Sequence, residues 1–147
     1  MQKSKNSTTK VEINNNSSNT KTKPDNPNLL FEQLMRSISC YIEEKESLAI
    51  VRRAYEFAAR CHGEQKRRSG EPYITHPISV AIILTDMKVD IPTIVSALLH
   101  DVVEDTETPV DEIRERFGDI IAHLVDGLTK IRKIKFRSNQ EKMAENF

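Results

Sequence analysis

Apolar side chains recur every three or four residues from Leu29 onward, a spacing typical of helices that pack one face against a core. A first helix is predicted over residues 29–43, with its apolar positions at Leu30, Leu34, Ile38 and Tyr41. A second helix is predicted over 47–61, with Ser47 as its N-cap. No segment alternates apolar and polar residues over the length of a strand. The pattern therefore predicts an all-α fold.

Turn-forming residues and helix-start signals divide the rest of the chain. The segment GEQKRRSGEP, residues 63–72, is predicted to be a loop because two glycines and a proline interrupt it. Pro77 and Pro92 fit the first positions of the third and fourth helices, where a missing N–H costs nothing. Three more helices are predicted over 110–117, from 119 to about 131, and after Ser138, which would cap the last of them.

Residues 1–28 differ in composition from the rest of the chain. They are rich in Asn, Ser, Thr and Lys and contain no leucine or aromatic residue. Such a segment buries too little apolar surface to offset the entropy of ordering it, so a disordered tail is expected. A transit peptide is the weaker alternative, since the segment lacks arginine. Residues 29–147 are then expected to form one domain.

Composition narrows the classes of function. The 147 residues include 22 basic and 22 acidic side chains, so net charge indicates neither a nucleic-acid nor a membrane partner. The two cysteines form no CxxC pair, which argues against a disulfide scaffold or a structural zinc site. No apolar run reaches the roughly 20 residues that span a bilayer. A cytoplasmic protein is therefore expected.

The stretch LLHDVVEDTETP, residues 98–109, raises a chemical question. On a helical wheel the leucines and valines fall on one side, whereas His100, Asp101, Glu104 and Asp105 fall on the other. A solvated polar face is the ordinary interpretation. However, three carboxylates lie near the C-terminal end of this helix, where the helix dipole disfavours negative charge. A nearby cation would relieve this, and a bound metal ion is the obvious candidate.

Three segments together resemble one known family. They are AYEFAARCHGEQKRRSGEPYITHPISVA, ALLHDVVEDT and VDGLTKI. The chain from about residue 50 to residue 147 is similar to the N-terminal hydrolase domain of the bifunctional RelA/SpoT family, within the HD phosphohydrolase superfamily. The resemblance implies an HD-domain helical bundle that hydrolyses the 3′-diphosphate of guanosine tetra- and pentaphosphate, the alarmones of the stringent response.

The resemblance also implies a metal site. By this similarity His76, His100 and Asp101 are metal ligands, and Mn²⁺ is the expected ion. A site of imidazole and carboxylate ligands suits Mn²⁺, but the ligand types alone leave Zn²⁺, Fe²⁺ and Mg²⁺ open.

Catalytic and substrate-binding residues follow from the same similarity. Glu104 and Asp105 match the acidic pair that orients and activates water in this family. Arg67, Arg68 and Ser69 match the loop that lines the pocket for the guanine nucleotide. An arginine can bind a phosphate through two parallel hydrogen bonds or stack on a base. Without the resemblance, the loop would be read as a solvated basic turn.

In one respect the chain departs from the family pattern. The family uses a further aspartate ligand, which would lie beyond Phe147, so an incomplete domain with impaired hydrolysis is expected. Asp126 is the one nearby substitute. Two alternatives stay open: a non-enzymatic fragment or weak nucleotide-binding module, and an HD phosphohydrolase for another nucleotide.

Overall fold

The fold is built from helices connected by short loops. The computed structural model describes residues 26–145. This part of the chain contains the helices α1 (Pro27–Ser39), α2 (Lys45–His62), α3 (Thr75–Thr85), α4 (Ile91–Asp105), α5 (Val110–Phe117) and α6 (Asp119–Glu145). No β-strand occurs among these residues, although an isolated β-bridge joins Lys66 and Pro72. The predicted all-α fold is confirmed.

Helix starts differ from the predicted ones where capping chemistry was misjudged. α1 begins at Pro27 because the side chain of Asn26 caps it, accepting a hydrogen bond from the Asn28 amide. Residues 27 and 28 therefore lie in α1, although disorder was predicted for 1–28. For residues 1–25 that prediction concerns a segment outside the described part of the chain. α2 begins at Lys45, so the prediction that Ser47 is its N-cap is wrong. The Ser47 hydroxyl lies inside the first turn and donates to the Glu44 carboxylate.

Helix α4 is the centre of the bundle. It packs against α2, α3 and α6, while α1 packs on α3 and α5 on α6. Its apolar residues Leu98, Leu99 and Val102 are completely buried. The Asp90 side chain caps its first turn by accepting a hydrogen bond from the Thr93 amide. Because three helices surround α4, its polar residues also face neighbouring elements.

Helix α6 is longer than predicted. Its first part buries Ile121, Ala122, Val125 and Thr129, whereas residues 130–144 are exposed. The prediction that Ser138 caps a separate seventh helix is wrong, because α6 runs through this position without interruption. Beyond Gly127 this segment contains neither glycine nor proline, and a lone serine costs a helix too little to end it. None of the described helices is both long enough and apolar enough to cross a membrane.

Candidate metal centre

Two helices bring three potential metal ligands together. His76 lies in the first turn of α3, and His100 and Asp101 lie near the C-terminal end of α4. Their ligand atoms all fall within 4.8 Å of one another. Since α3 packs on α4, a residue from each helix can reach one point between them. The three residues that the family resemblance implies as ligands therefore share a common focus.

Asp101 is the buried member of this group. Its side chain has no exposed surface, and its Oδ2 atom has no hydrogen-bond partner. Oδ2 lies 3.9 Å from Nε2 of His76. A buried carboxylate oxygen without a partner is costly, and a bound cation would satisfy it. The solvated face, which was the ordinary interpretation of the helical wheel, does not hold for Asp101, because His76 of α3 and Arg132 of α6 lie against it.

His100 is held in an orientation suited to metal binding. Its Nδ1 lies 2.6 Å from the carbonyl oxygen of Ala97, one turn earlier in α4, so the Nδ1–H donates there. A backbone hydrogen bond of this kind commonly fixes the ring of a metal-binding histidine and leaves Nε2 for the ion. Nε2 of His100 lies 3.1 Å from Oδ1 of Asp101.

The pKa values of the two histidines shift in opposite directions. Burial lowers the pKa of His100, but its hydrogen bonds to Asp101 and Ala97, with the Asp101 charge, raise that pKa more. For His76, burial lowers the pKa below its ordinary value, and the Asp101 charge offsets this only in part. The nearby positive charge of Arg67 lowers the pKa of His76 further. The downward shift of the His76 pKa favours the neutral imidazole that a metal ion requires, whereas the upward shift of the His100 pKa opposes it.

The acidic pair after the HD doublet is held by residues from other elements. Oδ2 of Asp105 accepts a hydrogen bond of 2.7 Å from the Tyr73 hydroxyl. The Asp105 carbonyl accepts another from the side chain of Gln65. Oε2 of Glu104 lies 2.6 Å from Nη1 of Arg132. Both carboxylates are therefore fixed beside the group formed by His76, His100 and Asp101, without belonging to it.

The basic loop forms a narrow turn between α2 and α3. The Arg67 amide donates to the Glu71 carbonyl, and the Gly70 amide donates to the Arg67 carbonyl. Gly70 has a φ of +96°, which side chains rarely permit. The exposed Arg68 and Ser69 are at the tip of the turn, while the Arg67 guanidinium lies 3.6 Å from the Glu71 carboxylate. Of these loop residues, Arg67 is close enough to act electrostatically on His76.

Two contacts at this site have no counterpart in the sequence analysis. Tyr73 holds Asp105, and its ring also lies 4.8 Å from the ring of His62. Arg132 contacts both Asp101 and Glu104. A sequence signal for Arg132 exists, since Val125, Thr129 and Arg132 are spaced as one helix face. Asp126, considered as a substitute ligand, pairs instead with Lys130 at 2.8 Å.

The donor set fits a divalent cation. Two imidazoles and one carboxylate converge, one imidazole has its second nitrogen bound to a carbonyl, and a buried carboxylate oxygen has no hydrogen-bond partner. Mn²⁺, Fe²⁺ and Zn²⁺ all accept such ligands. The geometry therefore supports a site for a divalent metal ion.

Comparisons with known proteins identify the family to which the chain belongs. The HD domain family model matches residues 54–147. Over 118 residues, which are 80% of its length, the chain is 52% identical to the guanosine-3′,5′-bis(diphosphate) 3′-pyrophosphohydrolase of Aquifex aeolicus. Over the same length it is 48% identical to the bifunctional (p)ppGpp synthase/hydrolase SpoT of Escherichia coli. The matched segment covers 16% of the first relative and 17% of the second.

The family match includes the three residues that could bind a metal ion, here called the metal group. His76, His100 and Asp101 all lie within residues 54–147, as do the acidic pair and the basic loop. The similarity to the two relatives extends over most of the chain. From its sequence match and its helical fold, the chain belongs to the HD domain family and is similar to the N-terminal hydrolase domain of RelA/SpoT proteins.

Proposed function

We propose that this domain takes part in the hydrolysis of the 3′-diphosphate of guanosine tetra- and pentaphosphate. The observation that carries the proposal is the convergence of His76, His100 and Asp101, with an acidic pair one turn further along α4. The names of the two relatives give their substrate as a guanosine bis(diphosphate) or (p)ppGpp. The reaction would yield pyrophosphate and GDP or GTP.

Three side chains would hold the metal ion. His76 and His100 would bind through Nε2, and Asp101 through the oxygen that has no hydrogen-bond partner. We propose Mn²⁺ as the ion, because imidazole and carboxylate ligands suit it and the family resemblance implies it. When bound, the ion would polarise a phosphoryl oxygen and lower the pKa of water. The Ala97 carbonyl would keep the His100 ring in its binding orientation.

Glu104 is the better candidate for the proton acceptor. Its carboxylate and that of Asp101 contact the same nitrogen of Arg132, so Glu104 lies directly beside the metal group. It would take a proton from the attacking water, whose oxygen bonds to phosphorus as the bond to the 3′ oxygen breaks and that oxygen takes up a proton from solvent. Asp105, which accepts the Tyr73 hydrogen bond, would orient the water instead. Proton acceptance and positioning are thereby divided between two neighbouring carboxylates.

The basic loop is the proposed binding element for the nucleotide. Arg67 is near His76, and Arg68 and Ser69 extend from the tip of the same turn. A guanidinium can bind a phosphate through two hydrogen bonds or stack on the guanine ring. These three residues would therefore hold the substrate while its 3′-diphosphate lies at the metal group.

The second candidate function is binding of the alarmone with only slow hydrolysis. The metal group contributes three protein donors, and Asp126 is paired with Lys130. A site with fewer protein ligands generally holds its ion less tightly, and turnover requires the bound ion. We therefore propose that this chain binds the alarmone with Mn²⁺ and hydrolyses it slowly.

One experiment separates the roles of these residues. Pyrophosphate release and binding of guanosine tetraphosphate are measured with Mn²⁺ for the wild type, Glu104→Gln and Arg67→Ala. Glu104→Gln should keep binding and lower turnover, because the amide retains the size of the side chain but accepts no proton. Arg67→Ala should weaken binding about ten- to a hundredfold, the value of one charge-assisted contact. Arg36, exposed on α1, provides the matched control variant Arg36→Ala.

The outcome that contradicts the substrate assignment is specific. A protein that ignores guanosine tetraphosphate but cleaves deoxynucleoside triphosphates would be an HD phosphohydrolase for another nucleotide. Equal alarmone affinity in the wild type and Arg67→Ala would remove the loop from the binding site. Fast turnover by the wild type would exclude the weak-hydrolysis behaviour.

A further inference from the structure

The guanidinium of Arg132 contacts Asp101, one of the three residues of the metal group. Its Nη1 is 2.8 Å from Oδ1 of Asp101 and 2.6 Å from Oε2 of Glu104. One nitrogen from α6 therefore bridges two carboxylates of α4. The Arg132 side chain is 57% exposed, whereas Asp101 is fully buried. The charged end of an otherwise accessible side chain thus neutralises a buried group.

This contact offsets the excess of negative charge at the C-terminal end of α4. Asp101, Glu104 and Asp105 place three carboxylates where the helix dipole disfavours negative charge. Arg132 supplies a permanent positive charge at that point, because a guanidinium does not lose its proton in proteins. Arg132 thereby provides part of the charge compensation that a bound metal ion would also provide.

A divalent cation and this guanidinium would share one carboxylate. The cation would bind Asp101 at Oδ2, while Arg132 contacts Oδ1 of the same group. Two cations that share one buried carboxylate repel each other more strongly than they would in water. A groove of about 600 Å³ between α4 and α6 is lined by Arg132 itself, together with Glu104, Lys133 and Arg137, and gives the side chain room to move.

We propose that Arg132 is a tethered cation that competes with the metal ion for Asp101 and moves out of the site when the ion binds. The displaced guanidinium would then point into the groove between α4 and α6. This inference rests on the metal site of the proposed function, but neither on its substrate nor on turnover. It implies that the metal affinity of the domain is lower than its ligand set alone would give.

The test is a Mn²⁺-binding titration by calorimetry on four proteins. Arg132→Gln removes the charge and should bind Mn²⁺ at least about tenfold more tightly than the wild type. Arg132→Lys keeps the charge and should remain closer to the wild type. Lys133→Gln removes the same charge from an adjacent exposed residue that makes no contact with Asp101 or Glu104, and should change affinity less than about threefold.

A second measurement, the unfolding temperature, shows whether the Arg132→Gln variant is folded. Without metal, Arg132→Gln should unfold at a lower temperature than the wild type, because Asp101 loses a charged partner. Added Mn²⁺ should narrow this difference. The wild-type Arg132 side-chain N–H signal in NMR should also shift when Mg²⁺, a diamagnetic probe, occupies the site.

The possible failures are distinguishable. Equal or weaker Mn²⁺ binding by Arg132→Gln, with binding by the wild type intact, overturns the competition and makes Arg132 a positioning residue. A similar gain in Lys133→Gln also overturns it, since general charge would then be the cause. Absence of binding in all four proteins overturns both this inference and the metal site itself.

Discussion

Replacement of Asp101 by asparagine should remove most of the stabilisation that Mn²⁺ gives to the folded domain. Asp101 supplies the carboxylate of the three-residue group, is fully buried and has one oxygen without a hydrogen-bond partner. Asparagine has nearly the same size, but its amide nitrogen cannot coordinate a cation and its carbonyl carries no charge. The variant would retain two imidazoles and one weak oxygen donor, a set that binds a hard divalent ion poorly.

The magnitude follows from mass action. An ion at one hundred times its dissociation constant stabilises the native state by about 2.7 kcal/mol. At roughly 4 °C for each kcal/mol in a domain of this size, the wild-type unfolding midpoint should rise by about 10 °C. If Asp101→Asn weakens binding about a hundredfold, the same Mn²⁺ concentration contributes about 0.4 kcal/mol. The midpoint of the variant should then rise by less than about 2 °C.

The assay is thermal unfolding followed by circular dichroism, with and without Mn²⁺, after treatment with a chelator. Each protein is compared with itself, so a change in metal-free stability caused by the substitution cancels. Asp126→Asn is the matched control, because Asp126 is an aspartate paired with Lys130 away from the metal group. Its Mn²⁺-dependent rise should equal that of the wild type. The same rise in Asp101→Asn as in the wild type would refute the assignment of Asp101 as a ligand.

Two further predictions concern stability. Asp90→Ala should lower the free energy of unfolding by about 1 kcal/mol in urea titrations, whereas Asp90→Asn keeps a capping acceptor and should cost less. Hydrogen bonds from Thr93 lower the pKa of Asp90 in the folded protein, so the unfolded chain holds the Asp90 proton more tightly. The difference in unfolding free energy between the wild type and the alanine variant should therefore persist at neutral pH. It should shrink as the pH falls through the folded-state pKa, which lies below about 4. Leu98→Ala should cost about 2–5 kcal/mol because Leu98 is fully buried in α4, whereas Leu128→Ala, 44% exposed, should cost under about 1 kcal/mol. Equal losses in the two leucine variants would contradict the described packing.

The polar residues of α4 show how far a one-dimensional pattern can be trusted. The spacing of Leu98, Leu99 and Val102 correctly predicted a buried helix face. The same wheel placed Asp101 on the polar side of the helix, where exposure to solvent is the ordinary interpretation, yet Asp101 is completely buried. A helical wheel separates two faces, but α4 is covered by α2, α3 and α6. The number of neighbours around a helix depends on packing, which the local spacing does not contain.

The ends of the helices show a similar division. Proline and glycine signals located the loop after α2 and the end of α5 at Gly118, whose φ of +92° favours glycine. Ser138, by contrast, suggested a boundary inside α6 that does not exist. Proline and glycine change the backbone directly, whereas serine only offers a side chain that a helix can leave unused.

The sequence by itself determined the all-α class and the family, because helical periodicity and short motifs are properties of neighbouring residues. It also indicated that the end of α4 needs a positive charge. Only the tertiary structure decided that Arg132, 31 residues after Asp101, supplies that charge and that Tyr73 holds Asp105. Both contacts join residues from different elements. Their distances depend on how α6 and the loop before α3 pack on α4, and helix packing is fixed by the whole core.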